Sequence, residues 1–143
     1  MEIKFNLDFN PTVTSQEKGV RVVGGYARFY TKPEVIRQKD LYSLKIRSEV
    51  RKQGRTIPQL KGTVKLKVEF GFATPERKKW GCLKATKPDN DNAVKLLIDI
   101  LADLGFFEVG DQQIAILEVT KRWSDKPSVW IDIREVSSEL FRL

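Results

Sequence analysis

Apolar and polar residues alternate through the first nine positions, with Ile3, Phe5, Leu7 and Phe9 set against polar neighbours. A period of two puts successive side chains on opposite faces of an extended chain, so the pattern predicts a strand that ends at Pro11. Regularity is then lost. Residues 10–33 carry Pro11, Gly19, the Gly24–Gly25 pair and Pro33 among basic and aromatic side chains, which predicts a long basic loop or a short hairpin turning at the two glycines. From 34 to 52 the spacing of Val35, Leu41, Leu44 or Tyr42, and Val50 predicts a helix. Pro33 suits its first turn, and Gly54 and Pro58 follow its end. Alternation returns in "TVKLKVEFGF", where Val64, Leu66, Val68, Phe70 and Phe72 form one apolar face of a strand.

A polar, basic connection, "ATPERKKWGCLKATKP", leads into an acidic cluster and a second helix. Val94, Leu97, Leu101 and Leu104 predict that helix from about Asn92 to Leu104, with Asp91 as its N-cap and Gly105 as its left-handed stop. The closing segments "IAILEVTKRW" and "SVWIDIREV" alternate again on either side of "SDKP" and predict a hairpin. The order strand, helix, strand, helix, strand, strand implies an α+β fold: a mixed sheet of about four strands with two helices on one face. With 143 residues, 41% of them apolar, no repeat and no linker, residues 1–143 are expected to form a single domain.

Charge adds a partner to this picture. Lysine and arginine number 26 against 19 acidic residues, a net charge of +7, which favours a polyanionic partner such as nucleic acid. There is no histidine, so zinc sites of the usual kind and Ser-His or Cys-His nucleophile pairs are excluded, and the single Cys82 rules out an intramolecular disulfide. Carboxylate, lysine and tyrosine chemistry remains, with hard oxygen ligands for any metal. The N-terminus lacks a basic segment followed by an apolar one, and Asp99 and Asp103 interrupt the longest apolar stretch; a cytoplasmic location is expected.

Asp89 and Asp91 are two residues apart after Pro88, whose ring keeps the preceding residue out of the helical region. In an extended chain that spacing puts both carboxylates on one side, where they could share a divalent cation. A helix of about 13 residues then travels roughly 18 to 20 Å, and the steps from Gly105 to Asp111 cover about 20 Å of extended chain. A reversal at Gly105 would therefore return Asp111 to the helix start, with Lys95 at the rim of the site. The competing reading is that Asp and Asn here only cap the helix and complement its dipole, that Asp111 is a turn residue, and that Lys95 is solvated beside Asp99. Both readings stand on the residues alone, although "PDNDN" holds more capping groups than one helix start can use.

The run "KPDNDNAVKLLIDILADLGFFEVGDQQI", with Lys121 beyond it, resembles the RusA family of Holliday-junction resolvases. That family carries D-x-D-N-x-x-K, then D-x-Q-[IV] leading into a strand that ends in lysine. The matching positions are Asp89, Asp91, Asn92, Lys95, Asp99, Asp111, Gln113, Ile114 and Lys121. The likeness is specific over residues 64–121 and weak over the first 55; Gly110 stands where the family often has another Asp. What it implies is a RusA-like fold and a homodimeric endonuclease that uses Mg²⁺, or Mn²⁺ in its place, to cut four-way DNA junctions symmetrically. It further implies that Asp89, Asp91 and Asp111 are the metal-binding catalytic carboxylates and Lys95 the catalytic lysine. Arg21, Arg28, Lys32, Arg77, Lys78, Lys79, Lys87 and Lys121 would then carry the DNA backbone. Tyr26, Phe29 or Trp80 would stack on unpaired bases, or else pack against the core. Two alternatives stay open: a branched-DNA-binding protein without catalysis, and a nuclease of the same fold acting on flaps or forks.

Overall fold

The computed structural model describes residues 1–10 and 18–139. Pro11, the expected end of the first strand, lies outside them. Strand β1 (Glu2–Leu7) is followed by β2 (Lys18–Val23), β3 (Tyr26–Thr31), helix α1 (Pro33–Lys52), β4 (Val64–Ala73), helix α2 (Asn90–Asp103), β5 (Ile114–Ser124) and β6 (Ser128–Glu135). Single 3₁₀ turns occupy Arg77–Lys79 and Asp111–Gln113. The main sheet has the order β1-β6-β4-β5, with β4 and β5 parallel and the other pairs antiparallel. This is the mixed four-stranded α+β sheet that the patterning implied. Strands β2 and β3 form a separate antiparallel hairpin. Of the two readings of residues 10–33, the hairpin is realised, because Gly24 and Gly25 adopt φ of 58° and 81° and so make a two-residue turn whose twist matches the strands.

One expected pairing is not made. β5 and β6 are not a hairpin, since β4 stands between them. The short link between them straddles β4 at Gly71, where an added Cβ would lie 2.3 Å from the Ser128 hydroxyl and 2.9 Å from that of Ser124. Glycine at that point leaves room for the crossing.

Alternation decides which face is covered. Ile3, Phe5 and Leu7 of β1, Val64, Leu66, Val68 and Phe70 of β4, and Val129, Ile131 and Ile133 of β6 are buried in one core with both helices. Each fully buried side chain of this size contributes roughly 1.5–3 kcal/mol. On α1 the buried stripe is Val35, Tyr42, Ile46 and Val50. Of the alternatives Leu44 or Tyr42, Tyr42 is the buried one; Leu41, expected on the inner face, and Leu44 are 39% and 64% exposed, because i, i+4 steps from Tyr42 to Val50 define a stripe that leaves them to the side. Phe9 meets Tyr42 edge-on, with ring centroids 5.3 Å apart. α2 buries Ala93, Val94, Leu96, Leu97, Ile100 and Leu101. It stops as predicted at Gly105, which has φ of 89° and is followed by a Phe106 N–H to Leu101 carbonyl bond of 3.1 Å. Among the described residues, no helix is long and apolar enough to cross a membrane.

Candidate active site

Parallel strands need a crossover, and α2 provides the one between β4 and β5. The chain leaving β4 passes through the Arg77–Lys79 turn and then runs along the free edge of β5. The Trp123 N–H donates to the Cys82 carbonyl and the Lys84 N–H to the Lys121 carbonyl, each at 2.9 Å. The stretch ends at a cis Lys87–Pro88 bond, immediately before Asp89.

Two lysines fix this stretch from below. Lys84, only 9% exposed, lies over the rings of Phe72 and Trp123 at 4.9 and 4.8 Å. Its ammonium donates to the Thr86 hydroxyl at 2.6 Å and to the Lys87 carbonyl. Burial, and secondarily the charge of Lys121, hold its pKa below the usual lysine value. Lys121 reaches from β5 to the carbonyls of Thr86 and Pro88 at 2.5 and 2.6 Å. The Asn90 amide adds a bond to the Val119 carbonyl at 3.2 Å. The acidic turn is therefore tied to β5 by side chains on both sides of Asp89.

Asp89 occupies the N-cap position of α2 with extended φ and ψ of −66° and 147°, yet its side chain makes no capping hydrogen bond. Its carboxylate is exposed and faces the Lys87 ammonium at 3.4 Å. Capping is thus not what this carboxylate does. The helix begins at Asn90, two residues earlier than expected, so Asp91 lies in the first turn and is not the N-cap. The extended-chain reason for placing both acids on one side falls with that shift; what remains is two exposed carboxylates at one helix start. Lys95 is exposed one turn later, at the i+4 position from Asp91. Among the described residues, the side chains of Asp91, Lys95 and Asp111 make no ion pair or hydrogen bond.

Asp111 opens the 3₁₀ turn before β5. That turn touches α2, but the expected convergence of three carboxylates is not met: among the described residues, no group of three acidic or other ligating side chains could hold a metal ion. The reason lies in the return path. Phe106 and Phe107 are buried, Leu60 N–H donates to the Phe106 carbonyl at 2.8 Å, and Glu108 N–H donates to the Leu60 carbonyl at 2.9 Å. The segment is thereby drawn to the lead-in of β4, and it does not run back extended along α2. Gln113 completes the attachment. Its amide donates to the carbonyls of Leu60 and Gly62 at 3.1 and 2.9 Å and accepts from the N–H groups of Val109 and Gly110 at 2.6 and 3.2 Å. Asn90 is attached at Val119, five residues along β5 from Ile114, a span of about 16 Å.

The basic residues fall into separate groups. Arg21 and Arg28 are direct partners across the β2–β3 hairpin, and Lys32 precedes α1. Arg77, Lys78 and Lys79 make the 3₁₀ turn, with Lys79 paired to Glu76 at 3.3 Å. Lys87 is paired with Asp89, and Lys121 is spent on backbone carbonyls, an internal role that the sequence reading had assigned to DNA. The reading also missed Lys84 and the four bonds of Gln113. The one available signal for Gln113 was its place in the D-x-Q run.

Mg²⁺ takes few protein carboxylates and keeps several waters, so a pair of exposed acids with open positions beside it fits that ion better than a closed cage would. A family model described as Endodeoxyribonuclease RusA matches residues 8–134. A relative from Lactococcus phage r1t, named crossover junction endodeoxyribonuclease rusA, is 34% identical over 135 residues, which is 94% of this chain and 98% of the relative. On both grounds the chain belongs to the RusA family of endodeoxyribonucleases.

Proposed function

We propose that the protein is a divalent-metal-dependent endonuclease that resolves four-way DNA junctions by paired, symmetric cuts in the cytoplasm of a bacterial or phage-infected cell. The observation that carries the reading is the uncapped carboxylate of Asp89, exposed beside Asp91 on a turn anchored by two lysines. Asp89 and Asp91 are the ligands proposed for Mg²⁺, or for Mn²⁺ in its place; Asp111, on the 3₁₀ turn at the other end of β5, is not assigned to the same ion. When bound, the ion lowers the pKa of a water and offsets charge on the phosphoryl oxygens. The chain's own groups do the rest. Without a side-chain cap, the first N–H groups of α2 face outward and suit a phosphate oxygen, and Lys95 on the next turn supplies a positive charge to the same phosphodiester.

A four-way junction needs two cuts related by a dyad, and two copies of one site across a symmetric dimer supply them. The hairpin supports this partner. Val20, Val22, Ala27 and Phe29 share one of its faces by register, with Val22 and Phe29 75% and 77% exposed, while Arg21 and Arg28 lie on the other. A lone two-stranded hairpin is marginal in water, so its apolar face is assigned to a second copy and its basic face to DNA.

The test uses labelled four-way junctions and linear duplex in Mg²⁺, Mn²⁺ and EDTA. Paired nicks confined to the junction are expected. Asp91→Asn should still bind the junction and no longer cut it. Binding in every condition without cleavage by the wild type would remove the catalytic reading, and equal or better cutting of flaps or forks would move the substrate to other branched DNA.

A further inference from the structure

All three tryptophans of the chain border one cleft of about 310 Å³, Trp130 from the sheet face turned away from the helices and Trp123, in register with Phe72, from the opposite face of the edge strand. The register sets its lining. Across β5, β4 and β6, one level holds Arg122, Gly71 and Ser128, and the next holds Thr120, Glu69 and Trp130. The Ser124 and Ser128 hydroxyls fill the space over Gly71, so the cleft has a small polar floor between Arg122 and Trp130. Glu69 flanks it, ion-paired with Arg122, whose guanidinium also donates to the Gly81 carbonyl at 2.9 Å. Trp80 comes in from the loop after the 3₁₀ turn. Its indole N–H is fixed on the Thr74 carbonyl at 2.8 Å, and it remains 40% exposed.

A cation lies over each of the two rings nearest the cleft's open side, Arg77 over Trp80 at 5.6 Å and Lys67 over Trp130 at 5.8 Å, while Lys84 and Lys79 cover Trp123 from the other face. Among the described residues, the indole N–H of Trp130 has no acceptor. Indole faces with cations beside them and recessed polar groups between them suit a flat, hydrogen-bonding aromatic carried on an anionic backbone. The volume is at the lower end of the roughly 300–1,000 Å³ of small-ligand sites, enough for a single base and too small for a duplex.

We infer that this cleft takes one unstacked nucleobase of the DNA substrate, with Trp80 stacking on it and Arg77 and Lys67 meeting the flanking phosphates. The inference rests on the DNA-cleaving reading above and adds to it a base-binding site apart from the carboxylates. Trp123 is four residues along β5 from Val119, to which Asn90 is attached, a span of about 13 Å. A strand held in the cleft therefore reaches the start of α2 within a few nucleotides.

The test compares a short oligothymidylate with an abasic oligonucleotide of equal length, which keeps the phosphates and lacks the bases. Binding is read in EDTA by anisotropy and by tryptophan emission. The wild type should prefer the oligothymidylate by about tenfold, with quenched emission, as expected for one stacked base. Trp80→Ala should lose the preference with its abasic affinity unchanged, and Trp80→Phe should retain it; thermal unfolding checks that both variants are folded. Equal binding of the two oligonucleotides by the wild type overturns the inference whatever the variants do, and so does a preference that survives in folded Trp80→Ala. Junction cleavage in Mg²⁺ is scored separately. Cleavage without base preference sinks the cleft alone, and base preference without cleavage sinks the nuclease reading alone.

Discussion

Lys121→Met separates an internal role for this lysine from a DNA-contacting one. The substitution keeps the aliphatic stem and removes the ammonium that donates to the carbonyls of Thr86 and Pro88 at 2.5 and 2.6 Å. A hydrogen bond from a charged donor contributes roughly 1.5–3 kcal/mol, and these two are partly solvated, so about 2 kcal/mol of stability for the pair is a reasonable magnitude. Lys84 still holds the Lys87 carbonyl, and the fold should persist. The turn bearing Asp89 would lose its anchor on one side. A displacement of about 1 Å at a reacting group costs on the order of 10²-fold in rate. The variant should therefore cut a saturating four-way junction about a hundredfold more slowly in single-turnover measurements. Its junction affinity in EDTA, titrated over a series of salt concentrations, should keep the wild-type slope. Had Lys121 held a phosphate, the logarithmic salt slope would fall by about 0.9. A reduced slope with cleavage intact at saturation would refute the anchoring argument.

Other outcomes follow from separate parts of the molecule. Val22→Lys combined with Phe29→Lys should abolish the proposed dimer, read as a halved mass in light scattering against the wild type, and leave the thermal transition of the main sheet in place, since neither side chain belongs to the core. Tyr42→Phe should stabilise the fold by about 1 kcal/mol in urea unfolding, because the Tyr42 hydroxyl is buried with no hydrogen-bond partner among the described residues. The Lys61 N–H, 2.8 Å from the Glu135 carboxylate, is the main cause that lowers the pKa of Glu135, with the N-terminal ammonium adding to it. A lowered carboxyl pKa stabilises the fold above the unfolded value of 4.5, and that stability is lost as the pH falls through the lower folded value. Glu135→Gln should thus lower the melting temperature at neutral pH, and the gap to the wild type should close as the pH is taken below 4.5.

Side-chain alternation made most of the sheet legible, because the period of two states which residues share a face. β1 and β4 could be read in that way, as could the inward row of β6. Alternation does not state which strands are neighbours. The short "SDKP" link looked like a hairpin turn, but the link spans two strand spacings, about 10 Å, as easily as one. Gly71 was the visible residue that allowed it, and its meaning depends on Ser124 and Ser128 from the far side of the chain. In the site, the acids were legible as a cluster, and their separation was not. The return from Gly105 is decided by burial of Phe106 and Phe107 and by backbone bonds to Leu60, a partner remote in sequence. Lysines posed the same difficulty: Lys84 and Lys121 look like any other basic residue until the carbonyls they hold are known.

The pairing of β1 with β6, with Glu2 opposite Arg134 and Leu7 opposite Val129, bears on how the molecule is made. Among the described residues, β1 is made before every other strand of the sheet and finds its only sheet neighbour in β6, the last of them. Until then its apolar row of Ile3, Phe5 and Leu7 has no β6 to dock beside, so a stalled or prematurely ended translation product leaves that row uncovered for chaperones or proteases to find. Appearance of the folded protein should accordingly lag its synthesis until β6 has cleared the exit tunnel.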